Sequence, residues 1–308
     1  MAELLESLGS KWLEALMWLV PYGLIFTILE RVLGRAEPEQ RVFRKGFAGD
    51  LLHSFLNPVL AAPLAAVALA AVQTLAGGLN ERNGEWISYA PFWVQLLAAI
   101  LVGDIVGYWR HRLLHMKYGW PFHAVHHSSE ELDWLSNDRV DVGENLVTTV
   151  FAAAALFCLG FSMEVAVVQV IARRTYGLYL HCNITWSYGV LDRVFVSPRC
   201  HRWHHSADPR AIDRNFATFF SFLDVLFGTY FMPRDEFPQK VGLVRETMPQ
   251  GYVAQVTYPY LALWRMIWNR ESADRSQESE VSSQESGVTL VQSSVGSLAE
   301  EAPAGSTV

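Results

Sequence analysis

The sequence predicts an all-α protein: an integral-membrane helical bundle with about three spans plus a helical hairpin, and a cytosolic helical cap. Three observations predict this fold class. Long apolar runs recur along a chain of 308 residues that is 51% hydrophobic. Charged residues gather between those runs rather than within them. Most histidines fall into short motifs at helical spacing, directly beside the apolar runs.

Residues 1–100 are expected to hold the N-terminal membrane spans. Trp12–Leu33 is too long for a signal-peptide core and lacks a small-residue cleavage site, so it is expected to be retained. Pro21 should kink this span. Leu51–Ala76 and Pro91–Trp109 are the second and third apolar runs, and each is close to the ~20 residues that a bilayer requires.

Loop charges predict the orientation of these spans. The segment 34–50 is rich in arginine and lysine, whereas Arg82 is the single basic residue of the segment 77–90. The positive-inside rule therefore places 34–50 in the cytoplasm and 77–90 outside, so the chain from Arg110 onward begins inside. We expect a multi-pass protein of a bacterial inner membrane or the endoplasmic reticulum, with its functional site facing the cytoplasm.

The fourth apolar block covers residues 146–180 and is interrupted around Gly160–Ser162. A single crossing would leave His181 on the opposite face from the histidines that precede the block. A hairpin of two helices, each of about 15 residues and about 22 Å, returns the chain to the same side. Arg173 and Arg174 near the returning end also favour the cytoplasmic side.

The remaining boundaries follow from composition. Residues 101–237 hold the histidine motifs and the hairpin, and form the central domain. Residues 238–270 are expected to lie at the membrane interface, with Tyr258–Trp268 as a short aromatic segment. Residues 271–308 are rich in Ser, Glu and Gln and carry −6 of the net charge of −7, so they are predicted to be disordered. The body has no basic surplus, which argues against a nucleic-acid partner.

The three cysteines do not form a metal motif. None stands in a C-x-x-C pair, so neither a zinc ribbon nor an iron–sulfur cluster is encoded. Cys158 lies in an apolar run and is expected to pack in the core. A disulfide between Cys182 and Cys200 stays open, although the neighbouring histidines favour a reduced, metal-loaded environment.

Nine of the ten histidines lie between positions 111 and 205, most of them in motifs that place imidazoles on one helical face. They are the i,i+4 pair His111 and His115; the i,i+3,i+4 triplets His123, His126, His127 and His201, His204, His205; and the single His181. The tenth, His53, stands apart and is expected to be an ordinary polar residue rather than a ligand. A hydrogen bond between His53 and a residue that supports the ligands stays open.

Nine imidazoles exceed what one tetrahedral zinc site needs, and they suit two metal ions with several nitrogen ligands each. Imidazole suits iron, copper, nickel and zinc, so ligand type alone does not select the metal. The sequence contains neither E-x-x-H, which is typical of soluble di-iron bundles, nor H-E-x-x-H, which is typical of zinc proteases.

The motifs closely resemble those of the fatty acid hydroxylase / sterol desaturase superfamily of membrane di-iron enzymes. The matching residues run from about Asp104 to Tyr230. They are Asp104-x3-Tyr108-x2-His111-Arg112-x2-His115, His123-x2-His126-His127-Ser128-Ser129, His181-Cys182-Asn183, Ser197-Pro198-Arg199-x-His201-Arg202-x-His204-His205-Ser206, Asp213-x-Asn215-Phe216 and Leu226-Phe227-Gly228-Thr229-Tyr230.

The resemblance implies that the nine histidines hold two iron ions and that dioxygen is the co-substrate. It implies hydroxylation of a lipid C–H bond, in a fatty acyl chain, a sterol or a related molecule, with two external electrons. The chain shows no fused haem domain and no flavin or nicotinamide fingerprint, so a separate ferredoxin or b-type cytochrome with its reductase is implied. The chain departs from the pattern at Asp141, where many bacterial-type members have histidine; this change places a carboxylate near the site.

Other residues are expected to support the metals. Asp104, Asn183 and Asp213 are expected to hydrogen-bond outer imidazole nitrogens. The alternative for Asp104 is an ion pair with an arginine inside the bundle. Arg199, Arg202 and Arg210 are candidates for a basic docking patch, or for contact with lipid headgroups. Aromatic residues near the motifs are expected to line a lipid pocket or to anchor the membrane interface: Trp109, Trp120, Trp134, Tyr179, Trp186 and Trp203.

Three alternatives stay open on the sequence. A desaturase of the same superfamily begins with the same hydrogen abstraction and is not separated from a hydroxylase by any residue. A non-catalytic, histidine-rich membrane metal-binding protein would favour ionisable residues through several spans, whereas only Asp104 is clearly intramembrane. A zinc-dependent lipid hydrolase is the third.

Overall fold

The computed structural model describes residues 2–244 and 246–268, without the side chains of residues 2–16. Within this part of the chain every regular element is a helix, and β structure is limited to two isolated bridges, Arg35 with Ile184 and Ser206 with Val241. The predicted all-α fold class is confirmed. The predicted disorder of residues 271–308 lies outside the described residues.

Eight α-helices carry the fold up to residue 226, and short 3-10 helices at Trp134–Asp138, Gly189–Arg193 and Pro209–Ala211 join some of them. The α-helices are α1 (Ala2–Val32), α2 (Phe47–Ile87), α3 (Phe92–Leu114), α4 (Trp120–His127), α5 (Val142–Cys158), α6 (Met163–His181), α7 (Pro198–His204) and α8 (Phe222–Leu226).

The second helix is longer than predicted. α2 has 41 residues, or about 60 Å of helix at 1.5 Å per residue, and it continues through the segment that the sequence predicted to be an outer loop. Tertiary contacts hold this extension. The amides of Asn80 and Asn83 donate to the carbonyls of Phe157 and Cys158, at 2.8 and 2.7 Å, where α5 ends. Charged residues and paired glycines in 77–90 hid this continuation.

Among the residues that the structure describes, two helices, α2 and α3, are long and apolar enough to cross a membrane. Only 11% of the most apolar window of α2, and 28% of that of α3, is buried. Core helices of soluble proteins bury such surfaces, so these exposed apolar faces indicate a membrane protein. The number of crossings and the cytoplasmic orientation stay predictions.

The predicted hairpin is present. α5 and α6 are joined by a four-residue turn in which Gly160 has φ of +87°, a conformation that favours glycine. A Cβ on Gly160 would also lie 2.3 Å from the backbone nitrogen of Gly84, so the turn packs directly on α2. Ser162 then caps α6 by accepting a hydrogen bond from the backbone N–H of Val165, at 3.3 Å. The hairpin returns the chain so that α6 ends at His181, beside the other histidines.

The chain divides into two units, Met1–Pro259 and Tyr260–Val308. The histidines and the cavity described below lie in the first unit. In the second unit, residues 260–268 are described and are helical, with the rings of Trp264 and Trp268 stacked at 5.7 Å between centroids.

Candidate metal centre

Four helices bring the predicted histidines together: the ends of α3 and α6, and the short helices α4 and α7. Pro121 and Pro198 stand in the first turns of α4 and α7, where proline favours helix initiation, and Ser197 caps α7 by accepting from the backbone N–H of Cys200 at 3.3 Å. Each short helix therefore presents its i,i+3,i+4 histidines on a fixed face.

The nine histidines form two groups, and within each group the nearest ring nitrogens all lie within 4.8 Å of one another. The first group is His111, His115, His123, His127 and His204; the second is His126, His181, His201 and His205. The predicted outlier, His53, belongs to neither group. It is buried on α2 and its Nε2 lies 3.0 Å from the amide oxygen of Gln255.

Six of the nine rings have their Nδ1 fixed by an oxygen atom, which must accept the Nδ1 hydrogen. The pairs are His111 with the Phe216 carbonyl (2.8 Å), His115 with the Asp213 carboxylate (3.0 Å), His123 with the Glu144 carboxylate (3.0 Å), His126 with the Arg139 carbonyl (3.1 Å), His181 with the Gly177 carbonyl (2.8 Å) and His204 with the Arg214 carbonyl (2.7 Å). Metal-binding histidines are typically oriented in this way.

This orientation leaves Nε2 lone pairs facing each other. The Nε2 atoms of His111 and His123 lie 2.8 Å apart, and those of His126 and His181 lie 3.2 Å apart. A neutral imidazole has a single N–H, so a ring that donates it from Nδ1 has none left to donate from Nε2. Only a cation, a proton or a metal ion, makes such contacts favourable.

Burial disfavours the proton. It lowers the pKa of His126, His127, His204 and His205 well below the ordinary histidine value, and that of His115 to about 4. These five rings are therefore neutral at physiological pH, which is the state that binds metal.

Further ring nitrogens are buried without a hydrogen-bond partner among the described residues: Nε2 of His115, His127 and His204, Nδ1 of His201, and both nitrogens of His205. Buried polar atoms normally have hydrogen-bond partners, so this concentration of unpaired ring nitrogens fits two bound metal ions.

Glu144, the carboxylate that orients His123, was missed in the sequence. It stands just before the fourth apolar block, is 5% exposed, and also pairs with Arg110 at 3.2 Å. A lone acid at the start of an apolar helix is a weak signal, since acids are common in the first turn of any helix. The backbone carbonyls that fix His111, His126 and His204 leave no signal in the sequence at all.

Two of the three predicted supporting residues do not contact an imidazole. Asp104 accepts hydrogen bonds from the backbone N–H groups of residues 218–220, at 2.8 to 3.0 Å, and lies 3.4 Å from Arg173. It therefore holds the loop whose Phe216 carbonyl orients His111, one step further from the metals than expected. The alternative of an ion pair is also present.

Asn183 instead joins two distant segments, because its amide accepts from the backbone N–H of Glu37 at 2.8 Å and donates to the carbonyl of the same residue at 3.0 Å. Asp213, by contrast, does contact His115. Asp141 caps α5 by accepting from the backbone N–H of Gly143 at 2.7 Å, so its carboxylate supports the helix that carries Glu144.

The expected basic patch is not free. Arg202 is 3% exposed and pairs with Glu37, while Arg210 pairs with Asp208 and Glu236. Arg199 donates to the backbone carbonyls of residues 233, 234 and 236. These arginines therefore tie loops together. The cysteines are all free, so Cys182 and Cys200 do not form a disulfide.

A cavity of about 490 Å³ opens beside the histidines and falls within the range of small-molecule sites. Its lining includes His111, His123, His126, His181 and His201 at one part and alanines of α2 at another. None of the six aromatic residues named above lines it. Small side chains of α2 and α5 shape the walls instead, because bulky rings would fill the space between closely packed helices.

Fold and site together define a helical membrane protein with a buried centre of nine imidazoles beside a cavity. The family model described as fatty acid hydroxylase matches residues 96–229, which include every one of these imidazoles. Across the segment that holds its histidine motifs the chain is therefore similar to fatty acid hydroxylases, and it is an oxidoreductase.

The chain is 27% identical over 241 residues to an ornithine lipid hydroxylase of Rhizobium tropici, covering 77% of this chain and 72% of that protein. It is 25% identical over 253 residues to an alkylglycerol monooxygenase of Danio rerio, covering 82% of this chain and 55% of that protein. A methylsterol monooxygenase of Arabidopsis thaliana is 26% identical over 141 residues, covering 44% and 47%. The chain thus spans about half the length of the latter two relatives. No solved structure matches the chain.

Proposed function

We propose that the protein is a lipid hydroxylase whose two groups of histidines each hold one iron ion, and that the cavity binds the lipid. The overall reaction inserts one atom of dioxygen into a C–H bond to give an alcohol. The other atom leaves as water, which consumes two electrons and two protons. The observation that carries the proposal is the pair of facing Nε2 contacts, His111 with His123 and His126 with His181.

The chain's residues prepare this chemistry in three ways. Burial disfavours protonation of the imidazoles, and oxygen atoms behind six of them fix their orientation. The carboxylate of Glu144 stabilises His123 as a ligand because it accepts the Nδ1 hydrogen while Arg110 balances its charge. The iron ions, when bound, supply the activation of dioxygen.

The cavity supports a lipid substrate. It reaches from the imidazoles to Ala61, Ala62 and Ala65 on α2. Of the two described helices that are long and apolar enough to cross a membrane, α2 is the less buried. A long apolar substrate held there brings a C–H bond against the histidines while its entry from the bilayer costs no exposure of apolar surface to water. The similar proteins described above are an ornithine lipid hydroxylase, an alkylglycerol monooxygenase and a methylsterol monooxygenase, and their names support a lipid as the class of substrate.

The electrons would come from a separate ferredoxin or b-type cytochrome with its reductase, as the resemblance implies. Localisation to a bacterial inner membrane or the endoplasmic reticulum, with the centre facing the cytoplasm, would give such a donor access.

The test is lipid profiling of cells that express the chain under ¹⁸O₂, with His204→Ala as the inactive variant. We expect one lipid class to gain about 18 mass units, the mass of one inserted ¹⁸O atom. The His204→Ala variant should fractionate with the membrane but should not produce this labelled lipid. A lipid that loses two hydrogens without gaining label would identify a desaturase instead. Labelled product from His204→Ala at the level of the unmodified chain would refute the ligand assignment.

A further inference from the structure

Gln169 on α6 is a buried amide without a partner. Its side chain lines the cavity, is fully buried, and neither Oε1 nor Nε2 has a hydrogen-bond partner within the described part of the chain. Asn57, another buried amide of the same cavity, differs. Its Nδ2 donates to the carbonyl of Val140 at 2.7 Å, and its Oδ1 accepts from Tyr252 at 2.9 Å.

The fold keeps room for this amide. A Cβ on Gly103 of α3 would lie 2.3 Å from the Nε2 of Gln169, and a Cβ on Gly107 would lie 2.4 Å from the guanidinium of Arg173. Two glycines one turn apart on α3 therefore accommodate two polar residues one turn apart on α6. Glycine inside a helix is unfavourable, so the space is maintained at a cost to the helix.

The two polar residues use that space differently. Arg173 donates to the hydroxyl of Thr218 at 2.8 Å and lies near Asp104, which accounts for its position in the fold. The Gln169 amide makes no hydrogen bond to any element in the described part of the chain. An amide buried without a partner is costly, and the cavity it lines is where a partner can bind.

We propose that Gln169 binds a neutral polar group of the substrate, one that both donates and accepts a hydrogen bond, such as an amide or a hydroxyl. Such a group satisfies both Oε1 and Nε2, whereas an ester satisfies Nε2 alone and a hydrocarbon satisfies neither. This inference rests on the proposed function, because it concerns the lipid held in the same cavity.

The position of Gln169 also sets which carbon is oxidised. Gly103, against which it packs, lies eight residues before His111 on α3, which is about 12 Å along the helix. A lipid fixed by its polar group at Gln169 therefore presents to the histidines a carbon several bonds further along its chain.

The experiment compares binding of three probes of equal chain length to the full-length protein in lipid nanodiscs: a long-chain primary amide, the methyl ester and the alkane. A site built to hydrogen-bond a ligand rejects an analogue that lacks the group, so we expect the amide to bind roughly tenfold or more tighter than the alkane, with the ester between them. A fourth probe, the 1-alkanol, should bind as tightly as the amide because its hydroxyl also donates and accepts a hydrogen bond.

The variants are Gln169→Leu, with Gln169→Met as a second apolar replacement, and Gln95→Leu as the matched control. Gln95→Leu makes the same chemical change on α3. The Gln95 amide donates to the Ala90 carbonyl at 2.8 Å and does not line the cavity. We expect the preference for the amide to disappear in both Gln169 variants and to persist in Gln95→Leu. The set of hydroxylated carbons should broaden in the Gln169 variants.

Equal binding of the three probes by the unmodified protein would overturn the inference, because water would then serve Gln169 as well as a lipid does. A preference that survives in Gln169→Leu and Gln169→Met would overturn it too. A preference that depends on Gln169, in a protein that incorporates no ¹⁸O into any lipid, would support the contact and refute the hydroxylase function alone.

Discussion

The carboxylate of Glu144 lies 3.0 Å from the Nδ1 of His123, and both side chains are almost completely buried. A carboxylate in this position holds the ring in one orientation and increases the basicity of the opposite nitrogen. Asp213 makes the equivalent contact with His115, also at 3.0 Å, but its side chain is 61% exposed. The two contacts share a geometry and differ in environment, and their consequences should differ accordingly.

Replacement of Glu144 should weaken metal binding. We expect Glu144→Ala to lower iron affinity by about 10- to 100-fold, which is the usual effect of removing such a partner. The affinity of Glu144→Gln should lie between those of Glu144→Ala and the unmodified chain, because its amide oxygen still accepts from His123. Competition with a chelator measures this. Glu164→Ala, an exposed acid in the first turn of the neighbouring helix α6, is the control and should bind iron as the unmodified chain does.

Replacement of Asp213 should matter much less. An exposed charged contact contributes about 0–1 kcal/mol, so we expect Asp213→Asn to keep iron affinity within about fivefold of the unmodified chain. Asparagine also tolerates the positive φ of 57° at this position. A loss equal to that of Glu144→Ala, in the same chelator assay, would mean that burial does not set the strength of these contacts.

Asp104 should be a determinant of stability. Its carboxylate is buried and satisfies three successive backbone N–H groups of residues 218–220, as well as Arg173. Removing one partner of a buried charged network costs about 3–5 kcal/mol, so Asp104→Ala should unfold at a clearly lower temperature in detergent. Asp235→Ala, at an exposed position, is the control. Unchanged thermal stability of Asp104→Ala would contradict the role assigned to these hydrogen bonds.

Filling the cavity should block the substrate and spare the metals. Ala61 lines the cavity on α2, whereas Ala66 lies on the exposed face of the same helix. We expect Ala61→Phe to raise KM or abolish lipid oxidation at unchanged iron content, and Ala66→Phe to behave as the unmodified chain. Full activity of Ala61→Phe at low substrate concentration would place the lipid elsewhere.

Local patterns in the sequence were enough to predict that nine histidines gather in one place and that α5 and α6 form a hairpin. Imidazoles at i,i+3,i+4 must share a helical face, and His181 can join the others only if the fourth apolar block turns back. Contacts between distant segments were not predictable in this way. The continuation of α2 depends on Asn80 and Asn83 bonding to carbonyls at the end of α5.

The partners of the imidazoles were also beyond sequence patterns, because most are backbone carbonyls that any residue can supply. Asp104 illustrates the limit. Its place inside an apolar helix indicated a specific role, but only the fold shows that its partners are the N–H groups of residues 218–220.

The most direct test of the account is the iron content of the full-length protein, purified without chelators and reconstituted with ferrous iron in the absence of oxygen. The account predicts two iron ions per chain, falling to about one in His205→Ala, which removes a ligand from the second group alone, with the protein still folded. One iron ion per chain, or two zinc ions in a protein that remains fully active, would contradict a centre of two irons held by nine histidines.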